Sequence, residues 1–126
     1  MIRKVDSMGK AVCLIIKPGF LHSTIIEHVF LKFNILSHVV CRLSYQEAAQ
    51  HYVEHKDKKF FHGLCEYLSS DKVMILIAEE ESIEEARKKT GEIRELYGVD
   101  VCRNVLHCSD SEEAGKREIS LFFERW

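Results

Sequence analysis

Four short apolar runs, separated by segments with helical periodicity, constrain the fold of this chain more than any other feature. The runs are Ala11–Ile16, Ile35–Leu43, Val73–Ala78 and Val99–Leu106. Apolar runs of this length between turn signals predict strands that are covered on at least one face. All four are far shorter than the roughly 18 residues that cross a bilayer, so we expect no membrane partner.

Helical patterns occupy the segments between the runs. Helices are predicted at Thr24–Phe33, from Ser44 to about His55, at Phe60–Leu68, from Ser82 onward and at Asp110–Phe122. The first has apolar residues at helical spacing. The second and fourth open with capping boxes, in which a serine is followed three residues later by a glutamate.

The order of these elements predicts the fold class. It reads β-α-β-α-α-β-α-β-α, which contains a β-α-β-β-α-β unit with extra helices after the second strand. This unit is typical of a ferredoxin-like α/β sandwich of the α+β class, and we expect a four-stranded antiparallel sheet with helices packed on one face. The 126 residues are too few for two cores, so residues 1–126 are expected to form a single domain.

Charge and cysteine usage exclude several classes of protein. The net charge is −2, whereas sequence-independent nucleic-acid binders carry a basic excess, so no stable nucleic-acid partner is expected. The five cysteines form no C-x-x-C pair, which argues against a zinc ribbon or a disulfide scaffold and favours a reducing compartment. Because Met1–Lys10 also lacks the apolar core of a secretory signal, we expect a cytoplasmic protein.

The segment Arg103–Ser111 carries the pattern most suggestive of chemistry. It places His107 between the apolar pair Val105-Leu106 and a helix start rich in serine and aspartate. An imidazole held at the end of a buried strand keeps one nitrogen free, and histidine is suited to accepting and releasing a group near neutral pH. A lone histidine at a strand end is more often structural, so its neighbours decide the interpretation.

Cationic, aromatic and amide side chains recur at the predicted strand ends and helix faces. Lys17 ends the first strand, Tyr52 lies in the second helix, Arg87 lies in the fourth helix with Arg94 just beyond it, and Asn104 shares the last strand with His107. Arginine binds phosphate oxygens through two parallel hydrogen bonds, and lysine supplies a point charge. The set predicts an anionic ligand with several phosphates, and Phe60 with Leu64 on one helix face predicts a clamp for a flat base.

Structural roles stay open for the same residues. A solvated surface charge or simple core packing is the default role for Lys17, Arg94, Tyr52, Phe60 and Leu64. Arg103 is better explained as a salt bridge that anchors the strand. His51 and His55 have the spacing of a helical metal-binding pair, but no glutamate follows His51 as in H-E-x-x-H, so ordinary helix surface is the favoured interpretation. A metal or nucleic-acid regulator built on the histidines is the least favoured function.

The motifs that contain these residues resemble those of nucleoside diphosphate kinases over nearly the whole chain, from about Lys10 to Phe123. They stand in family order at Ile16–Pro18, His51–Glu54, Lys56–Leu64, Arg103–Ser111 and Lys116–Phe123. The segment around His107 is highly specific, whereas the lysine–proline pair alone is weak.

The resemblance implies an enzyme that moves the terminal phosphate of a nucleoside triphosphate to a nucleoside diphosphate. The reaction is expected to be ping-pong, through a phosphohistidine at His107. Glu118 would hold the other ring nitrogen with help from Ser109, and Lys17 and Tyr52 would stabilise charge during transfer.

The resemblance also implies how the nucleotide is held. It implies ribose contacts from Lys17 and Asn104, phosphate contacts from Arg87 and Arg94, and a base slot formed by Phe60, Leu64 and Val101. ATP and other nucleoside di- and triphosphates would be the partners, and Mg²⁺ would be a cofactor carried by their phosphates with no direct protein ligand. Family members are hexamers or tetramers built on a common dimer, so a homo-oligomer that keeps this dimer is expected.

Departures from the family pattern keep a second function open. The aspartate that usually follows the lysine–proline pair is Gly19, and the glycine after the catalytic histidine is Cys108. A long loop that lines the nucleotide site and packs trimers in the family is missing between Glu92 and Arg94. Ile93 cannot supply the hydroxyl of the phosphate-contacting threonine that belongs to that loop. The alternative is therefore a nucleotide-binding scaffold of the same fold that is catalytically weak or inactive.

Overall fold

The computed structural model describes residues 9–101 and 103–123. Its strands are β1 (Lys10–Ile16), β2 (Ile35–Cys41), β3 (Val73–Glu80) and β4 (Leu106–Cys108). Its helices are α1 (Ser23–Lys32), α2 (Tyr45–His51), α3 (Phe61–Leu68), α4 (Ile83–Tyr97) and α5 (Glu112–Phe123). The second helix ends earlier than predicted, and a 3-10 turn, Val53–His55, continues from it. No helix within the described ranges has the length and apolar character needed to cross a membrane.

The four strands form one antiparallel sheet in the order β2-β3-β1-β4. The β-α-β-β-α-β unit within it confirms the ferredoxin-like fold predicted from the sequence. β1 is central, because it pairs with β3 along its full length and with β4 at its end. The pairing with β4 sets Ile15 opposite His107 and so fixes the position of the histidine in the sheet.

Helices cover both faces of the sheet, so the prediction of helices on one face was wrong. Successive residues of a strand point to opposite faces. Leu14 and Ile16 pack with α1 and α4 in one core, and Cys13 and Ile15 pack with α2, α3 and α5 in the other. Burial on both sides explains why β1 is apolar at successive positions instead of alternating with polar residues.

Side-chain caps fix the starts of α2 and α4, as their sequences predicted. The Ser44 hydroxyl accepts from the backbone N–H of Glu47 at 3.0 Å, and the Glu47 carboxylate accepts from the backbone N–H of Ser44 at 2.9 Å. The Ser82 hydroxyl accepts from the backbone N–H of Glu85 at 3.0 Å. Such caps satisfy N–H groups that have no partner inside the helix, and each stabilises its helix by about 1 kcal/mol.

The segment before β4 is where the sequence-based prediction fails. The predicted strand Val99–Leu106 is wrong, because β4 begins only at Leu106 and Val101 is 93% exposed. Extended backbone is interrupted at Val105, whose φ is +79°, and the N–H of Leu106 donates to the carbonyl oxygen of Asn104 at 2.9 Å in a γ-turn. A positive φ is strained for a β-branched residue. Asn104 therefore lies in a loop and not on the last strand.

Candidate active site

His107 is held by a buried carboxylate from the last helix. Its Nε2 lies 3.0 Å from Oε1 of Glu118, a residue that is only 3% exposed. α5 approaches β1 closely because it carries Gly115, where a Cβ would lie 2.9 Å from the carbonyl oxygen of Ala11. One ring nitrogen of His107 is thus engaged inside the protein, and Nδ1 is the nitrogen left for chemistry.

Ser109 completes the support of this carboxylate. Its hydroxyl donates to the same Glu118 oxygen at 2.8 Å, and its oxygen accepts from the backbone N–H of Cys13 at 2.9 Å. The backbone N–H of Ser109 donates in turn to the carbonyl oxygen of Cys13 at 3.1 Å. A buried carboxylate is unfavourable unless it is hydrogen bonded, so these contacts keep Glu118 ordered and tie it to β1.

His51 is a site residue that the sequence-based interpretation missed. The interpretation of His51 as ordinary helix surface is wrong, because it is 5% exposed and its ring lies edge-on to that of His107, with centroids 4.6 Å apart. Its Nδ1 is 3.9 Å from Oε2 of Glu118 and has no hydrogen-bond partner among the described residues. Burial, followed by the charges of His107 and Arg117, holds the pKa of His51 well below 6.5, so this ring is neutral at neutral pH.

Two guanidinium groups flank β4 from the preceding helix. α4 runs past Arg94, which therefore lies within this helix and not just beyond it, about two turns from Arg87 on the same face. Arg94 Nε donates to the carbonyl oxygen of Leu106 at 2.9 Å, and Arg87 Nη1 donates to that of Cys108 at 3.3 Å. Because these carbonyls lie on either side of His107, both guanidinium groups are fixed beside the histidine.

This pair of arginines is suited to an anion. Burial, followed by the positive charge of Arg87, lowers the pKa of Arg94. A guanidinium keeps its proton under ordinary conditions, so the lowered pKa means that the charged group is destabilised where it lies. An anion between the two arginines would remove that destabilisation. Both line a cavity of about 170 Å³ together with Tyr52 and His107.

Lys17 is a buried residue and not a solvated surface charge. It follows β1 directly, is 6% exposed, and donates its backbone N–H to the carbonyl oxygen of Val105 at 2.8 Å. Its ammonium group is near enough for its charge to lower the pKa of His51. The Lys17 ammonium is therefore a third positive charge near the rings of His51 and His107, in addition to the two arginines.

An apolar groove of about 570 Å³ brings together the three residues that the resemblance associates with a base. It is lined by Lys59, Phe60, Gly63, Leu64 and Val101. Phe60 is 54% exposed, so core packing does not explain this side chain. The residues come from α3 with the turn that precedes it and from the loop before β4, two segments that are far apart in the sequence.

The apolar groove adjoins the cavity at His55. This histidine lines the cavity, and its ring centroid lies 6.1 Å from that of Phe60 and 6.3 Å from that of Tyr52. A ligand with a flat ring at one end and a polyanion at the other can therefore occupy the groove and the cavity at once.

Asn104 lies in the loop between the apolar groove and β4. Its Nδ2 donates to the carbonyl oxygen of Val101 at 3.1 Å, and its buried Oδ1 has no hydrogen-bond partner among the described residues. Such unpaired buried acceptors are uncommon, and this one is available to a ligand hydroxyl. The neighbouring Arg103 donates to the Asp100 carboxylate through Nε at 2.9 Å and Nη2 at 2.6 Å, which confirms the salt bridge, although it anchors a loop and not a strand.

Comparison with known proteins gives the family. A model of the nucleoside diphosphate kinase family matches residues 10–126. The chain belongs to the nucleoside diphosphate kinase family. It is 34% identical to the nucleoside diphosphate kinase of Carboxydothermus hydrogenoformans, over 88% of this chain and 85% of that one. It is also 34% identical to that of Persephonella marina, over 89% of this chain and 91% of that one. The chain is therefore a phosphotransferase of the kinase class.

Solved structures of nucleoside diphosphate kinases share the fold. A family protein from Babesia bovis superposes with a TM-score of 0.79 at 28% identity, covering 92% of this chain and 89% of that one. The Halobacterium salinarum enzyme, solved in complex with CDP, superposes with a TM-score of 0.75 at 26% identity, covering 92% and 88%.

Two of the departures from the family pattern that the resemblance implied fall at the site. The family loop expected before Arg94 is replaced by continuous helix, in which Ile93 is fully buried against the core. Cys108, where the resemblance implied a glycine, is buried too, and burial raises the pKa of its thiol. The thiol is therefore neutral at neutral pH and adds no charge beside His107.

Proposed function

We propose that this enzyme transfers the terminal phosphate of a nucleoside triphosphate to a nucleoside diphosphate through a phosphohistidine at His107. In the first half-reaction, Nδ1 attacks the γ-phosphorus, the bond from that phosphorus to the bridging oxygen breaks, and the diphosphate leaves with the electron pair. In the second, a β-phosphate oxygen of the acceptor attacks the same phosphorus, and the electrons of the N–P bond return to Nδ1. One site thereby serves donor and acceptor in turn.

The observation that carries this proposal is the contact between Nε2 of His107 and the buried carboxylate of Glu118. It favours the tautomer with its proton on Nε2, which leaves the lone pair of Nδ1 free. Phosphorylation of Nδ1 puts positive charge on the ring, and the carboxylate stabilises that charge. Ser109, as a second donor to the same oxygen, keeps the carboxylate in place for both half-reactions.

We propose that four side chains bind the transferred phosphate and stabilise its charge: Arg87, Arg94, Lys17 and Tyr52. Phosphoryl transfer requires chiefly alignment and charge stabilisation from the protein. The two guanidinium groups beside His107 supply donors to non-bridging oxygens, and a phosphate between them offsets their mutual repulsion. Lys17 and the Tyr52 hydroxyl would add a point charge and a further donor.

The apolar groove is the proposed base site, with the base stacked on Phe60 and bordered by Leu64 and Val101. Lys17 and the Oδ1 of Asn104 are proposed to contact the ribose hydroxyls. A groove lined chiefly by apolar side chains discriminates weakly between bases, so ATP and other nucleoside di- and triphosphates are the proposed substrates. The solved relative in complex with CDP supports a nucleotide as the ligand.

Mg²⁺ is the proposed cofactor and would arrive with the nucleotide. This ion prefers oxygen ligands, and the cavity offers the carboxylates of Glu54 and Asp110 beside the arginines. The residues present therefore fit a magnesium–nucleotide complex in which phosphate oxygens hold the ion. When bound, Mg²⁺ neutralises part of the charge on the β- and γ-phosphates.

Incubation with ATP labelled in its γ-phosphate tests the phosphohistidine. The wild-type chain should acquire an acid-labile label, which an unlabelled nucleoside diphosphate should remove. His107→Ala should abolish labelling, and His62→Gln, a histidine of α3 outside the cavity, should retain it. Labelling that persists in His107→Ala would count against this residue as the nucleophile.

A homo-oligomer built on a dimer is the proposed assembly, with a tetramer or hexamer as the larger form. β2 forms one edge of the sheet and carries the exposed side chains of Leu36 and Val40, while Phe30 of α1 is exposed beside it against His38. An exposed strand edge with apolar side chains is a template for pairing with another chain. Light scattering at micromolar concentration should give at least a dimer, and a monomer would refute the proposal.

We also propose that residues 1–126 form one catalytic domain in the cytoplasm. Cys13, Cys65 and Cys108 are free thiols, which suits a reducing compartment, and Cys102 lies outside the described residues. A single cooperative unfolding transition would support one domain, and two transitions would contradict it. Cell fractionation tests the location.

A further inference from the structure

We propose that His51, His107 and Glu118 form a binding site for a divalent transition-metal ion, for which Zn²⁺ is the best chemical match. This site differs from that of the Mg²⁺ that accompanies the nucleotide, because Mg²⁺ prefers oxygen ligands and two of the three ligands here are ring nitrogens. Metal bound there holds the enzyme in a form that cannot be phosphorylated. That consequence, unlike the site itself, rests on the proposed role of His107 as nucleophile.

The three side chains offer a ligand set and a spacing that suit zinc. One ligand atom from each lies within 4.8 Å of the ligand atoms of the other two. Ligands about 2.1 Å from a tetrahedral ion lie about 3.4 Å apart, so no pair of the three atoms has to close in by more than about 1.4 Å to reach this geometry. Two histidines and a glutamate are a donor set that zinc enzymes use, and the set leaves a fourth position for solvent.

His51 supplies an independent observation that points to a ligand. Its side chain is buried, and its Nδ1 has no hydrogen-bond partner among the described residues. The nearest carboxylate oxygen, Oε2 of Glu118, is 3.9 Å away, which is too far for a hydrogen bond. With the ring proton on Nε2, the Nδ1 lone pair is a buried acceptor without a donor, and such a group carries a desolvation penalty. A metal ion between this nitrogen and Glu118 removes the penalty.

The surroundings support and admit such an ion. The Ser109 hydroxyl donates to the Glu118 carboxylate at 2.8 Å, and the Phe122 ring packs against that of His51 with centroids 5.6 Å apart. Contacts of this kind orient metal ligands and raise affinity. All three ligand residues line the same cavity of about 170 Å³, which gives the ion a path from solvent.

Positive neighbours limit the affinity of the site. Arg117 Nη2 lies 3.8 Å from Oε2 of Glu118, and the charge of Lys17 reaches His51. Like charges oppose the binding of a cation, so Zn²⁺ should bind more weakly here than in a structural zinc site and should leave to a chelator. Reversible occupancy of this kind is what regulation requires.

Metal binding removes the arrangement on which phosphorylation of His107 depends. The proton on its Nε2 leaves to solvent, the Nε2 lone pair forms the bond to the metal, and the Glu118 carboxylate turns from that N–H to the ion. The bound cation withdraws electron density from the ring and lowers the nucleophilicity of Nδ1. Bound Zn²⁺ therefore suppresses phosphoryl transfer to this residue.

Co²⁺, as a spectroscopic substitute for Zn²⁺, tests the site in the full chain without any nucleotide. The wild type should bind one Co²⁺ per chain with the intense visible absorption of a tetrahedral ion, lack the sulfur-to-metal band of a cysteine ligand, and release Co²⁺ to Zn²⁺. His51→Gln and, as a second variant, Glu118→Gln should each weaken binding by at least about tenfold. His55→Gln, which alters another histidine of the same cavity, should bind Co²⁺ as the wild type does, and circular dichroism should show that all variants are folded.

Unchanged Co²⁺ binding in both ligand variants, or no stoichiometric tetrahedral spectrum in the wild type, overturns the proposal. Because no nucleotide is present, the Co²⁺ experiment is independent of the phosphohistidine experiment. If the chain binds Co²⁺ but is never labelled by ATP, the metal site is supported and the proposed function is refuted. In a chain that is labelled, Zn²⁺ added before ATP should prevent labelling and a chelator should restore it. Full-rate labelling of the zinc-saturated protein overturns the inhibitory role.

Discussion

Arg94 Nε donates to the carbonyl oxygen of Leu106 at 2.9 Å, so a guanidinium proposed to hold phosphate is also bonded to the residue that precedes His107. This contact couples α4 directly to β4. The remaining N–H groups of the planar guanidinium are left for phosphate oxygens. A single guanidinium group would therefore hold both the backbone beside His107 and the phosphate, and so fix the distance between them.

Replacing Arg94 by lysine should lower kcat/KM by roughly 10- to 150-fold. A charge-assisted hydrogen bond contributes about 1.5–3 kcal/mol, and lysine cannot bond to the Leu106 carbonyl and to phosphate in the geometry of a guanidinium. Steady-state phosphate transfer between two nucleotides measures the effect. Lys88→Gln, which removes an exposed cation of the same helix, should stay near the wild-type value. Full activity in Arg94→Lys would mean that this residue only holds the backbone.

Removing the Ser109 hydroxyl should destabilise the fold. The change leaves Glu118 with one donor fewer and takes from the Cys13 N–H its acceptor, and both groups are buried. Because an unsatisfied buried group costs about 1–3 kcal/mol, Ser109→Ala should lower the free energy of unfolding by about that amount. Urea denaturation measures it, and Ser23→Ala, at an exposed position of α1, should change it by less than about 0.5 kcal/mol. Equal stability of Ser109→Ala and the wild type would contradict this account.

The elements predicted well from sequence are those whose signals are local. Ser44 and Ser82 cap their helices through side chains that lie within one turn; the structure shows the complete capping box at Ser44 and the serine half of the box at Ser82. The apolar run Ala11–Ile16 predicts β1 because both faces of that strand are buried. Where an element is fixed by residues close together in the sequence, the sequence pattern predicts that element correctly.

Contacts between residues far apart in the sequence explain the wrong predictions at β4 and at His51. Val99 and Val101 favour a strand by residue type, but β-propensity reflects packing against neighbouring strands, and both valines are exposed in the structure. The positive φ of Val105 turns the chain before β4 begins. His51 lies three residues from the buried Ala48 on α2, a spacing that places them on one face, but its burial depends on α5 from the far end of the chain.

Phe60→Ala should weaken nucleotide binding and leave the stability of the fold nearly unchanged. Stacking of a base on an aromatic ring contributes about 1–3 kcal/mol, so the dissociation constant for magnesium–ADP should rise by roughly 5- to 150-fold. Calorimetric titration measures this change. Leu96→Ala, which removes another exposed apolar side chain that does not line the apolar groove, is the matched control. Unchanged ADP affinity in Phe60→Ala would place the base somewhere else.

The burial of His51 predicts that the fold loses stability in mild acid. Burial and positive neighbours lower the pKa of this imidazole in the folded chain, whereas in the unfolded chain it is about 6.5. Between the two pKa values the unfolded state binds more protons, so the free energy of unfolding rises with pH there. Above pH of about 6.5, His51 is neutral in both states and its protonation does not reduce the free energy of unfolding. As the pH falls from there toward the folded-state pKa, the free energy of unfolding decreases by up to about 1.4 kcal/mol per pH unit.

A comparison of the wild type with His51→Gln isolates this contribution, because groups that titrate alike in both proteins cancel in the difference. Urea denaturation in the presence of a chelator, at pH values from about 7.5 down to about 5.5, brackets the unfolded-state pKa. The free energy of unfolding of the wild type relative to that of His51→Gln should be highest at the upper end and should fall steadily below pH of about 6.5, as the unfolded wild-type chain gains a proton that its folded form resists. A difference that stays constant over this range would show that the buried ring takes up its proton as readily as an exposed one.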